Sequence, residues 1–192
     1  MRRENKQQGG SILPPGYTQL QYLQANGTQA IQTNLHISSE DVCRVRFIHS
    51  GNFAPISGNG IANANMVRFA MVGTTVFLDY GNDSSYRTTG GNLAYNTEHY
   101  IEYGNRYAYN LNTQGYIINA TPIPNFVKTY VYCLWKTDYS AGWGSGKILE
   151  FEVVGKMHLI PALRDFDSKP GMYDIVNNVF YTNVGSNEFL YA

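Results

Sequence analysis

Apolar and polar residues alternate with a period of two along short runs over most of this chain, the signature of half-buried β-strands. Between Asp41 and His49, Cys43, Val45 and Phe47 fall on one side, and Arg44 and Arg46 on the other. The run Met66–Met71 sets Val67, Phe69 and Met71 against Arg68. The run Lys147–Val154 sets Leu149, Phe151 and Val153 against Glu150 and Glu152. Thr129–Trp135 is apolar on both sides, which predicts a strand with neighbours on either edge. Further strands are predicted at Tyr17–Leu23, Thr28–Leu35, Thr75–Tyr80, His99–Tyr103, Arg106–Leu111, Tyr116–Asn119, Met157–Leu163, Gly171–Val176 and Val179–Thr182. Asn26-Gly27 predicts a hairpin, and Gly73-Thr74, Gly104-Asn105, Gly155-Lys156 and Asn177-Asn178 predict turns. No run keeps helical spacing over a helix's length. The pattern predicts an all-β, largely antiparallel sandwich or barrel. Residues 14–192 form that single domain, preceded by a polar arm at 1–13 that ends on Pro14-Pro15-Gly16.

Composition agrees. Sixteen tyrosines and 19 glycines suit pleated surfaces and turns. Fourteen basic residues balance 14 acidic ones, so the sequence gives no reason to expect nucleic acid or an anionic membrane as partner. No apolar run has membrane-spanning length. The basic start MRRENKQQGG lacks the apolar stretch of a secretory signal, so the expected folding compartment is a cytoplasm. The glycosylation-like triplets at Asn26, Asn82 and Asn119 then count as chance. Cys43 and Cys133 both fall at inward strand positions and read as buried thiols, with a disulfide between sheet neighbours as the alternative.

Two stretches carry a resemblance. The first is Leu13-Pro-Pro-Gly-Tyr-Thr-Gln-Leu-Gln-Tyr-Leu23, followed by Gly27-Thr28-Gln29. The second runs from Lys147-Ile148-Leu149 through Ile160-Pro161-Ala162 and Arg164. It continues as Gly171-Met172-Tyr173-Asp174, Asn178-Val179-Phe180-Tyr181-Thr182-Asn183, Gly185 and Phe189. Together they resemble the laminin-G-like, concanavalin-like jelly rolls of phage structural proteins and of gut-bacterial surface proteins. The resemblance implies a two-sheet jelly-roll sandwich whose first and last strands pair, with Gly171, Asp174 and Asn177 shaping turns as scaffold. The chain departs from such proteins after Pro161-Ala162, where a longer basic run is common. Here only Arg164 remains, followed by Asp165, which leaves no strong anion patch.

The fold the chain resembles also hosts glycosidases. Those of the retaining kind carry Glu-x-Asp-x-x-Glu on one strand, with paired carboxylates about 5 Å apart. Glu150-Phe151-Glu152-Val153-Val154-Gly155 lacks the third acid, and both glutamates face away from the apolar side, so no enzyme is expected. His36, His49, His99 and His158 lack metal-binding spacing. Gly58-Asn59-Gly60 reads as a turn and not as a dinucleotide fingerprint. Asp79, Asn82 and Asp83 read as one acidic loop: a plain turn is the expectation, and calcium the one cofactor worth weighing. The glycine-rich stretch Lys136–Gly146 carries Asp138, Tyr139 and Trp143. Trp143 there either folds back to cap the core edge, or stacks with Tyr139 on a sugar ring or a protein partner.

The expectation that follows is a non-enzymatic protein of a phage particle: a head-fibre, decoration or tail-associated protein located in the virion. Its arm, with Arg2, Arg3 and Lys6, docks to other virion proteins, and its jelly roll faces a host or partner. A homotrimer is an expectation from such fibres alone. The alternative is a module that binds bacterial surface glycans.

Overall fold

A computed structural model describes residues 12–50, 53–61, 64–83, 87–123, 133–134 and 144–192. Two antiparallel sheets face each other as a sandwich. The larger has 11 strands. Its continuous path runs β11 (Gly115–Asn119), β10 (Tyr107–Asn110), β9 (His99–Gly104), β4 (Cys43–His49), β13 (Ser145–Val153), β14 (Met157–Arg164), β15 (Lys169–Asp174) and β16 (Val179–Thr182). Three short strands join off that path: β1 (Tyr17–Gln19), β2 (Leu23–Asn26) and β17 (Leu190–Tyr191). The smaller sheet has 6 strands, in the order β3 (Ile31–Gln32), β12 (Cys133–Leu134), β5 (Phe53–Ile61), β6 (Ala64–Val72), β7 (Thr75–Asp83) and β8 (Arg87–Asn92).

The core lies between the sheets and comes from the inward positions of the alternating runs. Val45, Phe47, Ile101, Tyr103 and Phe151 of the larger sheet meet Val67, Phe69, Met71, Val76 and Leu78 of the smaller, all fully buried. Phe69 bridges them, edge-on to Phe47 at 5.8 Å and stacked on Tyr103 at 4.9 Å. The Tyr103 hydroxyl is satisfied across the interface by Ser57 Oγ at 2.5 Å. Each such aromatic contributes about 2–3 kcal/mol through area removed from water. A second, smaller cluster sits on the outer side of β14 and β15. There Leu13, Ile160, Ala162 and Tyr173 are buried beneath Tyr17 and Phe180. Leu13 therefore belongs to the folded unit, although the turn residues after it had suggested a boundary there.

Both side edges of the sandwich are covered. At one, β8 lies against β11 so closely that a Cβ on Gly90 would stand 2.4 Å from the Ile117 carbonyl oxygen. At the other, Ile31 bridges Asn183, and Ala30 N–H donates to Asn183 Oδ1 at 2.9 Å. Covered edges deny stray strands a template.

Several local expectations are corrected. Asn26-Gly27 makes no hairpin, because β2 pairs with β13 and β17 in the larger sheet while β3 belongs to the smaller. The turn passes the chain between sheets. Tyr17–Leu23 is two elements, β1 on β14 and β2 on β13. Gly58-Asn59-Gly60 lies inside β5, where Gly58 lets β6 approach; a Cβ there would be 2.7 Å from the Val67 carbonyl oxygen. Cys43 and Cys133 lie on strands of different sheets, so they are not sheet neighbours. Gly171 sits within β15, against the Tyr181 carbonyl, and shapes no turn. Asp174 and Asn177 do shape one: Asp174 Oδ1 accepts from the backbone N–H of Val176 at 3.0 Å and of His158 at 3.1 Å, and Oδ2 from Asn177 Nδ2 at 2.7 Å.

Candidate functional site

The site begins with a fork in the larger sheet. One edge of β13 is lined by β4 along its length. The other is shared: β2 pairs with Ser145–Ile148, and β14 pairs with Phe151–Val153. β14 in turn leaves β13 after Leu159 and takes β1 at Ala162–Arg164. At the branch, the pairing of β13 with β4 shifts register between Ile148 and Glu150. That bulge corrects a sequence expectation. Ile148, Phe151 and Val153 are the buried residues, and Leu149 turns outward beside Glu150.

The fork opens a cleft of about 370 Å³ on the outer face. Leu20, Leu149 and Ile160 give it apolar lining, Gln19 and Gln21 add amides, and Arg46, Glu150 and His158 bring charge and an imidazole. Glu150 Oε1 lies 2.7 Å from His158 Nε2. An ionised carboxylate only accepts, so the imidazole hydrogen belongs on Nε2 in this pairing. Arg46 serves Glu98 first, through Nε at 3.1 Å and Nη2 at 2.5 Å, and only then reaches Glu150 Oε2, at 3.8 Å.

Register explains why these groups meet. Arg44 stands opposite Glu102 on one side and Glu152 on the other, while Arg46 stands opposite Tyr100 and Glu150. Directly opposed residues of antiparallel strands have close Cβ atoms, so opposite charges pair across them. Arg44 bonds Glu102 at 2.9 Å and Glu152 at 3.3 Å. The bond to Glu102 holds the Arg44 guanidinium above its ordinary range, and the bond to Glu98 does the same for Arg46. Burial raises the phenols of Tyr100 and Tyr107, with Glu150 and Glu102 adding to it. Beyond them, Tyr109 and Tyr116 meet at 5.1 Å, and Tyr116 is 63% exposed.

The smaller sheet carries a different cluster on its outer face. Arg68 and Arg87 both close on the Asp79 carboxylate, Arg68 at 2.8 Å through Nε and Arg87 at 2.5 Å. The Asp79 and Arg68 side chains are only 10% and 13% exposed. The expected acidic loop is thus a strand, since Asp79, Asn82 and Asp83 all lie in β7. Two guanidiniums already occupy the Asp79 oxygens, which leaves that carboxylate little capacity for calcium. Among the described residues no group of three or more His, Cys, Asp or Glu is arranged to hold a metal ion. Asp138, Tyr139 and Trp143, and likewise Arg2, Arg3 and Lys6, lie outside the described residues.

Of the histidines, His49 and His99 are buried beside the Leu93 and Ala94 carbonyls, at 3.2 and 2.9 Å. His36 is exposed, and only His158 reaches the cleft. Outward-facing Glu150 and Glu152 were readable from alternation. Their partners and the cleft were not, because both depend on which distant strands become neighbours.

No protein-family model matches the chain, and no curated protein matches it.

Proposed function

We propose that this chain is a non-catalytic jelly-roll module of a phage particle, with the polar arm ahead of Leu13 docking to other virion proteins and the sandwich presented for adhesion. One observation supports the reading above others. The two segments that resemble phage and gut-surface jelly rolls come together as one closing unit. β1 pairs with β14, β2 with β17, and Gln29 Nε2 donates to the Glu188 carbonyl at 3.0 Å. Motif residues that hold the fold shut are scaffold, and they leave the outer faces to vary with the partner. The pairing of Glu150 and Glu152 with Arg46, His158 and Arg44 also favours a binding surface over an acid–base pair. The test replaces Arg2, Arg3 and Lys6 together by Ser in the full chain. The variant is expected to fold as wild type yet drop out of purified particles; normal incorporation would refute the docking role.

A second reading, a glycan-binding module, draws on Tyr116, whose exposed ring meets Tyr107 at 6.4 Å and Tyr109 at 5.1 Å. Aromatic faces of this kind stack on sugar rings. A glycan array separates the readings. Binding by wild type that falls in Tyr116→Ala supports the glycan role, and no binding by wild type removes it.

A further inference from the structure

Around the fork cleft, glutamates outnumber the arginines that pair with them. Glu98 and Glu150 share one arginine, and Arg46 gives Glu98 both of its close contacts. Of Arg46, Glu150 receives the 3.8 Å approach of Nη1. His158 Nε2 contributes a hydrogen bond to Glu150 Oε1 at 2.7 Å. A carboxylate has room for about four donors. Glu150 Oε1 uses one of its places on the imidazole, and among the described residues Oε2 has only that long contact. The Glu150 side chain is 25% exposed, screened enough to feel a partner and open enough to admit one. The next rung repeats the excess, with Glu102 and Glu152 sharing Arg44. Lys147, the basic residue of β13, lies on the Tyr22 ring at 4.0 Å.

Below the carboxylate the cleft is lined by Leu20, Leu149 and Ile160, with Gln19 and Gln21 beside them. A cation that fits must therefore carry its charge at the end of an apolar stem. Lysine and arginine side chains are built that way: the methylenes lie along apolar surface while the head keeps polar company. An anion would meet the Glu150 carboxylate, with Arg46 already bonded to Glu98, and a small hydrated metal ion would leave the apolar lining unused. We infer that the fork cleft is a docking site for a lysine or arginine side chain of a partner protein, with Glu150 receiving the cationic head and Leu20, Leu149 and Ile160 the stem. This assignment does not depend on the particle reading, since it concerns the side chain taken and not the assembly that presents it.

The experiment is an NMR titration of the full chain at low salt with three blocked amino acids: Nα-acetyl-lysine methylamide, its uncharged norleucine analogue and the glutamate analogue. The lysine probe is expected to shift amide signals of Gln19–Gln21, Leu149, Glu150 and His158, and to bind more tightly than norleucine. A half-screened ion pair predicts a preference of roughly five-fold, weakening as salt is raised. Glu150→Gln is expected to abolish the lysine-over-norleucine preference while leaving the spectrum folded, and His158→Gln, which keeps a hydrogen-bond donor, to retain it. The inference is overturned if the glutamate probe binds as well as the lysine probe, if the lysine probe shifts no cleft residue, or if Glu150→Gln keeps the preference. Normal particle incorporation of the Arg2, Arg3, Lys6 variant, which refutes the docking role, would leave all these results unmoved, so the two claims fail separately.

Discussion

On the smaller sheet, two arginines converge on a single aspartate that is only 10% exposed. On the larger sheet, four glutamates share two arginines whose side chains are 36% and 41% exposed. The first arrangement is short, screened and compact. The second spreads over the outer face of three strands and ends at a cleft where one carboxylate has only a long contact with its shared arginine. Charge held away from water must be matched, because an uncompensated ion there is costly. Charge on an open sheet face has no such constraint and contributes little to folding. The difference teaches where to look for function: in the face whose charges stability does not require.

Breaking the buried cluster has the largest expected effect. Asp79→Ala strands Arg68 beside Arg87, and we expect a loss of about 3 kcal/mol in urea unfolding. A loss under about 1 kcal/mol would show that solvent screens the cluster as it does the other face.

High pH acts on the larger sheet. Burial raises the Tyr107 and Tyr100 phenols above the ordinary value of 10.0. A group whose folded value is raised stabilises the fold below its unfolded value, and that contribution is lost as pH climbs through the folded one. Unfolding midpoints are therefore expected to hold up to about pH 10 and to fall above it. Tyr107→Phe should flatten that alkaline fall; an unchanged fall would assign it to other groups.

The smallest effect is expected on the open ladder itself. Glu152→Gln removes one of the two partners of Arg44, which retains Glu102, so the change in unfolding free energy should stay below about 1 kcal/mol. A larger loss would make the ladder a structural device like the Asp79 cluster.

The strands were largely readable because their cause is local. Alternation in Cys43–His49 and Met66–Met71 reports which side each residue buries, and β4 and β6 follow it. What stayed hidden is decided between distant segments. Asn26-Gly27 carries a hairpin's local chemistry, yet β2 finds β13 and β17, more than a hundred residues away. Arg87-Thr-Thr-Gly-Gly-Asn92 carries no apolar alternation and two glycines, and in β8 Gly90 and Gly91 fit against Ile117 of the other sheet. Glu150 was legible as outward-facing. Leu149 was misplaced because a bulge shifts the period by one residue. The cleft depends on that bulge and on β14 exchanging β13 for β1, and neither leaves a mark in the local pattern.

The central claim is that Glu150 is placed for a partner and not for the fold. The measurement that bears on it most directly is the unfolding free energy of Glu150→Gln in the full chain. The account predicts a value within about 0.5 kcal/mol of wild type, as for a substitution that removes no required interaction. A loss as large as that expected for Asp79→Ala would contradict it and make Glu150 part of the structural framework.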